Sequence, residues 1–134
     1  MSKIPRRRIA MRVSGSFDTL SKQAWDVTLG ATINLSTITS AGVMVHDCEE
    51  THFILTPYAG ASVISASDLT YARQGDKLIL NGVGDAGGGT SITFSSTFMN
   101  VSTIAPGAGK VYWVEFRFDQ SNQKFIKVNE YVEP

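Results

Sequence analysis

The sequence predicts an all-β protein, an antiparallel β-sandwich or jelly-roll-like barrel of about 8–10 short strands with at most one or two short helical turns. Three observations carry this expectation. Apolar and polar residues alternate in segment after segment, the two-residue period of a strand with one buried face. The segments are rich in β-branched and aromatic residues, which fit a pleated, half-buried surface. Gly, Asn, Asp and Ser separate them at intervals of roughly ten residues, the turn rhythm of sandwiches and barrels. The 14 Ser and 12 Thr supply small polar groups for outward positions. Strong helix formers seldom recur at i, i+3, i+4, i+7 spacing.

Taken in order, the first strand candidate is Arg8 to Val13, with Ile9, Met11 and Val13 inward and charge outward. Trp25 to Leu29 sets Trp25, Val27 and Leu29 on one face, and Thr32 to Leu35 continues with Ile33 and Leu35. Val43 to Val45 and Phe53 to Leu55 are short apolar runs on either side of a polar tip, a hairpin reading. Val63–Ile64, Lys77 to Leu80, Ser91 to Phe94 and Phe98 to Val101 follow. Val111 to Phe118 is the strongest strand, and Asp119 to Gln123 is a polar hairpin turn into Lys124 to Val128. Helical turns are expected at Phe17 to Ala24 and at Ser67 to Gln74, the latter capped by Ser67 or Asp68 and ended by Gly75. The Gly82 to Gly89 run reads as a flexible hairpin loop between Leu80 and Ile92.

The strand from Val111 to Phe118 separates two faces. Tyr112, Val114, Phe116 and Phe118 are wholly apolar and belong in a core. Val111 and Trp113 share the other face with Glu115 and Arg117, which leaves one end too apolar for open water. Val111 and Trp113 are therefore candidates for a subunit interface.

The chain has 134 residues, 43% of them hydrophobic, which suits one folded domain and is too apolar for a disordered chain. No apolar run approaches the ~20 residues of a bilayer span, and the charged start has no apolar core of a secretory signal. The expectation is a protein made in the cytoplasm, away from membrane. A single cysteine, Cys48, cannot form an internal disulfide.

Net charge is zero, with 12 basic and 12 acidic groups, but the distribution is uneven. Residues 1–17 hold Lys3, Arg6, Arg7, Arg8 and Arg12 and no acid; the remainder is net acidic. This divides the chain into a basic arm, residues 1–16, and a single β domain, residues 17–134. Arginine pairs two-pronged with carboxylate or phosphate, so the arm suits docking on an acidic surface. It does not read as a nucleic-acid tracker. No aromatic for base stacking precedes Phe17, and the acidic body would repel phosphate.

Motifs that could carry chemistry fall short of it. Gly82-x-Gly84-x-x-Gly87 matches a dinucleotide fingerprint on spacing, but a strand follows where the pyrophosphate needs a helix N-terminus. His46, Cys48 and His52 are ligand types suited to zinc, and a turn at Asp47 to Glu50 would bring the two histidines together. On a straight strand, at ~3.3 Å per residue, they spread too far to converge. The expectation is a polar hairpin tip with no metal and no cofactor. No Gly-x-Ser-x-Gly elbow is present, and Cys48 lacks a visible orienting group and oxyanion hole. The chain is not expected to be an enzyme. Tyr58, Tyr71, Trp113 and Tyr131 are candidates for stacking on sugar.

From Gly75 onward the texture becomes familiar. Gly75-Asp-Lys-Leu-Ile-Leu-Asn-Gly, a Gly-rich loop, Thr90-Ser-Ile-Thr-Phe, Tyr112-Trp-Val-Glu-Phe-Arg-Phe-Asp and Lys124-Phe-Ile-Lys-Val together resemble β-rich modules of tailed-bacteriophage virions, the capsid decoration or cement proteins and fibre knobs. Ala31-Thr-Ile-Asn-Leu and Glu50-Thr-His-Phe-Ile-Leu look like earlier strands of such a unit. The resemblance implies a structural protein on the virion surface. It implies a homotrimer, with the major capsid protein or another virion protein as partner and Lys3, Arg6, Arg7, Arg8 and Arg12 as the shell-binding arm. The alternatives are a tail-fibre or tail knob that recognises host carbohydrate and a small metal-dependent hydrolase.

Overall fold

The computed structural model describes residues 22–37, 50–70 and 72–134. The described chain is all-β, as expected. Its strands are β1 (Lys22–Val27), β2 (Thr32–Asn34), β3 (Glu50–Leu55), β4 (Ala61–Ser65), β5 (Lys77–Val83), β6 (Ser91–Phe94), β7 (Phe98–Met99), β8 (Val111–Asp119) and β9 (Lys124–Val132), with one 3-10 turn at Leu35–Thr37. The described residues of Ser67 to Gln74 form no helix; Leu69 O and Arg73 O accept the N–H of Ala72 and Asp76 in successive tight turns. Of Phe17 to Ala24, residues 22–24 belong to β1, and the rest lies outside the described residues, as do Arg8 to Val13 and Val43 to Val45.

The architecture corrects the sandwich and jelly-roll expectation. From β1 to β6, strands that follow one another in sequence alternate between two sheets, and each from β3 on lies parallel to the strand one circuit earlier. In the large sheet Lys22 pairs Glu50 and Glu50 pairs Lys77, offsets of 28 and 27 residues. In the small sheet Thr32 pairs Val63 and Ala61 pairs Ser91, offsets of 31 and 30. This is a β-solenoid: stacked coils, each giving one rung to either sheet. Corners stack as well as strands. Thr56 N–H donates to Val27 O, Val63 N–H to Ala31 O and Ser91 N–H to Gly60 O. Backbone groups that a single coil would leave open are thus satisfied by the next.

The predicted hairpin joins Phe53–Leu55 to Val43–Val45, which lie outside the described residues; the structure describes β3 between two other strands. β3 has β1 on one edge and β5 on the other, both parallel, so neither edge is free for a returning strand.

The stack ends in antiparallel pairing. β8 runs back along β5, and β9 returns along β8 through the Asp119 to Gln123 turn, the hairpin the sequence predicts. A bulge at Glu115/Phe116 shifts the β8–β9 register, and two-residue β7 closes the sheet parallel to β9. The order is β1-β3-β5-β8-β9-β7, beside the small sheet β2-β4-β6.

The core lies between the sheets. Phe53, Leu55, Leu78, Leu80, Val114 and Phe116 from the large sheet meet Ile33, Ile64 and Ile92 from the small one. Phe94, Phe98, Phe116, Phe118 and Phe125 fill the capped end, with neighbouring ring centroids 4.9–5.8 Å apart. Tilted and edge-on geometry dominates there, adding to the burial of large apolar rings.

Candidate functional site

The strand period that fills the core with one parity of residues puts the other parity on the outer face of the large sheet. Strand register then arranges these outward residues in rows across the sheet. One row is Asp26, Ile54, Asn81, Trp113 and Tyr131; beside it run Ala24, His52, Ile79, Glu115 and Asn129. Val83 pairs Val111 at one end of these strands, and Glu50, Lys77 and Arg117 align at the other. Ile54, Val83, Val111 and Tyr131 are exposed, at 36–44%, and Ile79 and Trp113 are half-buried. Val111 and Trp113 therefore sit in a larger apolar surface, as the unbalanced faces of their strand implied.

The rims are charged, with acids and bases paired except at Asp26, an exposed acid at the β1 edge. Lys77 Nζ lies 3.5 Å from Glu50, and Arg117 Nε lies 3.2 Å from Glu115. At the far end Lys110 faces Glu133 at 3.9 Å, while Val111 N–H donates to Glu133 Oε1 at 2.9 Å. Such exposed pairs add about 0–1 kcal/mol each, so their weight here is in shaping the surface. In the middle of the apolar area the Asn81 Oδ1 is buried and has no donor. An apolar centre inside a polar rim is the anatomy of an association surface.

The Gly-rich segment has a different role from the one its spacing suggests. It is neither a hairpin nor a free loop, since it turns the chain from β5 in the large sheet to β6 in the small one. Asp85 Oδ2 accepts the N–H of Gly87 at 3.1 Å, and its Oδ1 accepts those of Gly89 at 2.6 Å and Thr90 at 2.9 Å. The buried Thr90 hydroxyl lies 2.7 Å from Tyr58 O and 3.0 Å from Asp85 Oδ1, so its single proton serves one of them at a time. Partial desolvation works against ionising Asp85, but the Thr90 hydroxyl and the N–H groups of Gly87, Gly89 and Thr90 together hold its carboxyl below the ordinary value. The amides that would cradle a phosphate already face a carboxylate of the chain itself.

Gly84 is required by close approach. A Cβ there would lie 2.3 Å from Gly107 O, where the segment leading into β8 crosses the corner. Gly82 sits opposite Tyr112 across the β5–β8 pair, and a Cβ there would lie 2.7 Å from both the Tyr112 hydroxyl and Leu55 O. Burial pushes the Tyr112 phenol up to about 12, and its hydroxyl has no hydrogen-bond partner.

The remaining sequence candidates do not converge. His52 stands on β3, between Ala24 and Ile79 on the outer face. His46 and Cys48 lie outside the described residues, and so do Tyr71 and the arm residues Lys3, Arg6, Arg7, Arg8 and Arg12. Among the described residues no group of three or more His, Cys, Asp or Glu side chains is placed to hold a metal. No helix among them is long and apolar enough to cross a membrane. Tyr58 packs against the core at the β3–β4 corner, whereas Trp113 and Tyr131 are direct cross-strand neighbours.

Sequence reasoning missed Ile54, Ile79, Asn81 and Val83 as members of the outer surface, and named Tyr131 only as a candidate for stacking on sugar. The signal was present in Lys77 to Val83, where Ile79 and Val83 are apolar on the parity opposite Leu78 and Leu80. A strand apolar on both sides has two faces to cover. No protein-family model matches the chain, and no curated protein matches it.

Proposed function

We propose that this chain is a structural protein of a phage-like virion, a homotrimeric capsid decoration protein that works by self-association and attachment to the shell. The observation that carries the self-association is the apolar outer face of the large sheet, which includes Val111 and Trp113 and is framed by neutral ion pairs. The attachment rests on charge. Lys3, Arg6, Arg7, Arg8 and Arg12 precede an acidic body, and an arginine-rich segment pairs with an acidic surface. Contacts made only in the assembled shell would stabilise it by mass action. The assignment to virions rests on the texture of residues 24–130 and their resemblance to capsid decoration and fibre-knob modules.

Co-sedimentation with purified phage capsids tests the reading. The full chain pellets with capsids as a trimer. Deletion of residues 1–12 abolishes pelleting and leaves the trimer intact. Equal capsid occupancy by the truncated chain overturns the role of the arm.

A second reading is a tail-fibre or tail knob for host carbohydrate. It is favoured by Trp113 and Tyr131, adjacent across β8 and β9 on an open face where rings could stack on sugar. Glycan-array binding lost in a Trp113→Ala variant would favour the knob over the decoration protein.

A further inference from the structure

We infer that the outer face of the six-stranded sheet is the surface on which copies of this chain meet, with the Ile54–Asn81–Trp113–Tyr131 row turned toward the symmetry axis. The inference rests on the self-association reading above and deepens it by naming the row of residues at the contact and the polar layer that sets its register. Three observations point to a sister copy.

The first is concentration of apolar surface. Seven large hydrophobic side chains are exposed among the described residues, and four of them, Ile54, Val83, Val111 and Tyr131, stand together on this face. Scattered exposed hydrophobics are ordinary; a contiguous group framed by polar residues is an association site.

The second is charge. Glu50–Lys77 and Glu115–Arg117 at one end and Lys110–Glu133 at the other each sum to zero. Asp26, at the β1 end of the row, adds a single acidic charge, so a strongly acidic or basic partner finds only a weak opposing field on this surface. A second copy brings the same paired charges and meets little net repulsion, as self-association requires.

The third is Asn81. Its Oδ1 is buried without a donor in the middle of the apolar area, a placement that costs stability in an isolated chain. The terminal torsion of an asparagine is soft. Turned outward, the amide carries both a donor and an acceptor to the contact, so Asn81 of one copy can donate Nδ2–H to Oδ1 of the next around a closed ring. Rungs stack at ~4.8 Å along the row, so this polar layer lies between an Ile54 layer and a Trp113 layer. Sliding by one rung would set the amide against Ile54 or Trp113 and leave it unpaired. A single buried asparagine fixes register and copy number in coiled coils on the same principle.

Thiol crosslinking tests this directly. In a full-length Cys48→Ser background, cysteine is introduced by Asn81→Cys, by Ile54→Cys one rung away, or by Thr93→Cys on the exposed outer face of the small sheet. A short bifunctional thiol reagent is expected to link chains through positions 81 and 54 and not through 93. The Ile54→Cys variant keeps the test valid if replacing Asn81 weakens assembly. In the native chain, Trp113→Glu is expected to weaken assembly about 30-fold or more, as for an interface anchor. An oligomer that links through position 93, or through none of the three, overturns this surface while leaving self-association standing. A chain that is monomeric by light scattering at every concentration overturns both.

Discussion

The two faces of the large sheet are made by the same strands and face opposite problems. On the inner face Phe53, Leu80, Val114 and Phe116 are completely buried in the core shared with the small sheet, and Phe116 packs against Phe94 and Phe98. On the outer face Ile54, Val83, Val111 and Tyr131 retain more than a third of their surface to solvent, and a buried amide oxygen lacks a donor. The comparison separates two tasks for hydrophobic residues in one element. Inner residues hold the coil together, whereas under the proposed self-association the outer ones contribute little to the single chain and are covered by a sister copy. Substitutions on the two faces should therefore read out in different measurements.

The largest stability effect is expected on the inner face. Phe116→Ala removes a ring that contacts Phe94 and Phe98 and should cost about 3–5 kcal/mol in denaturant unfolding. Gly84→Ala comes next, because its methyl would lie 2.3 Å from Gly107 O, backbone against backbone. Parting the corner from the 106–109 segment should cost about 1–3 kcal/mol and be visible as faster amide exchange at Gly109, whose N–H donates to Gly84 O.

Tyr112→Phe sharpens the comparison from the other direction, since it deletes an inner polar atom that has no partner. It should be neutral or stabilising by about 1 kcal/mol at neutral pH. The phenol titrates near 10 when unfolded and near about 12 when buried, so between those values the unfolded chain has released a proton that the native chain retains. The unfolded state is then favoured, and native stability present below pH 10 falls as pH rises toward 12. The Tyr112 contribution to that loss should vanish in the phenylalanine variant, as measured by denaturant midpoints across this range.

The smallest effect on the single chain belongs to the outer face. Val111→Ser should change unfolding free energy by no more than about 0.5 kcal/mol in dilute solution, while lowering the average mass at higher concentration. A loss of several kcal/mol in the dilute chain would mean that Val111 serves the chain's own core, and the division between faces would fail.

Much of this was legible in the sequence, for local reasons. The parity of Tyr112, Val114, Phe116 and Phe118 identified an inner face because burial imposes a two-residue period on any half-covered strand. The Asp119 to Gln123 turn was legible because its residue types and flanking strands make a hairpin by themselves. The neighbours of β3 were not. Periodicity tells which side of a strand is buried but not which strand lies beside it. Stacked positions such as Trp25, Phe53 and Leu80, or Val27, Leu55 and Gly82, share a direction rather than a residue type, so no internal repeat marks the coil. The Gly-rich corner misled for a related reason. Its glycines suggest freedom, while the Asp85–Thr90 hydrogen bonds that tie it depend on a corner that forms only once the two sheets exist. Part of the outer surface was legible as Val111 and Trp113; the rest needed the β3–β5–β8–β9 register to bring Ile54, Asn81 and Tyr131 beside them.

The most direct test of the central claim is the mass of the full chain by light scattering across a dilution series, run beside Trp113→Glu. The expected result is a trimer for the native chain and a folded monomer for the variant, with the same far-ultraviolet β signal. A native chain that stays monomeric at every concentration, or a variant that assembles as well as the native chain, would contradict the account.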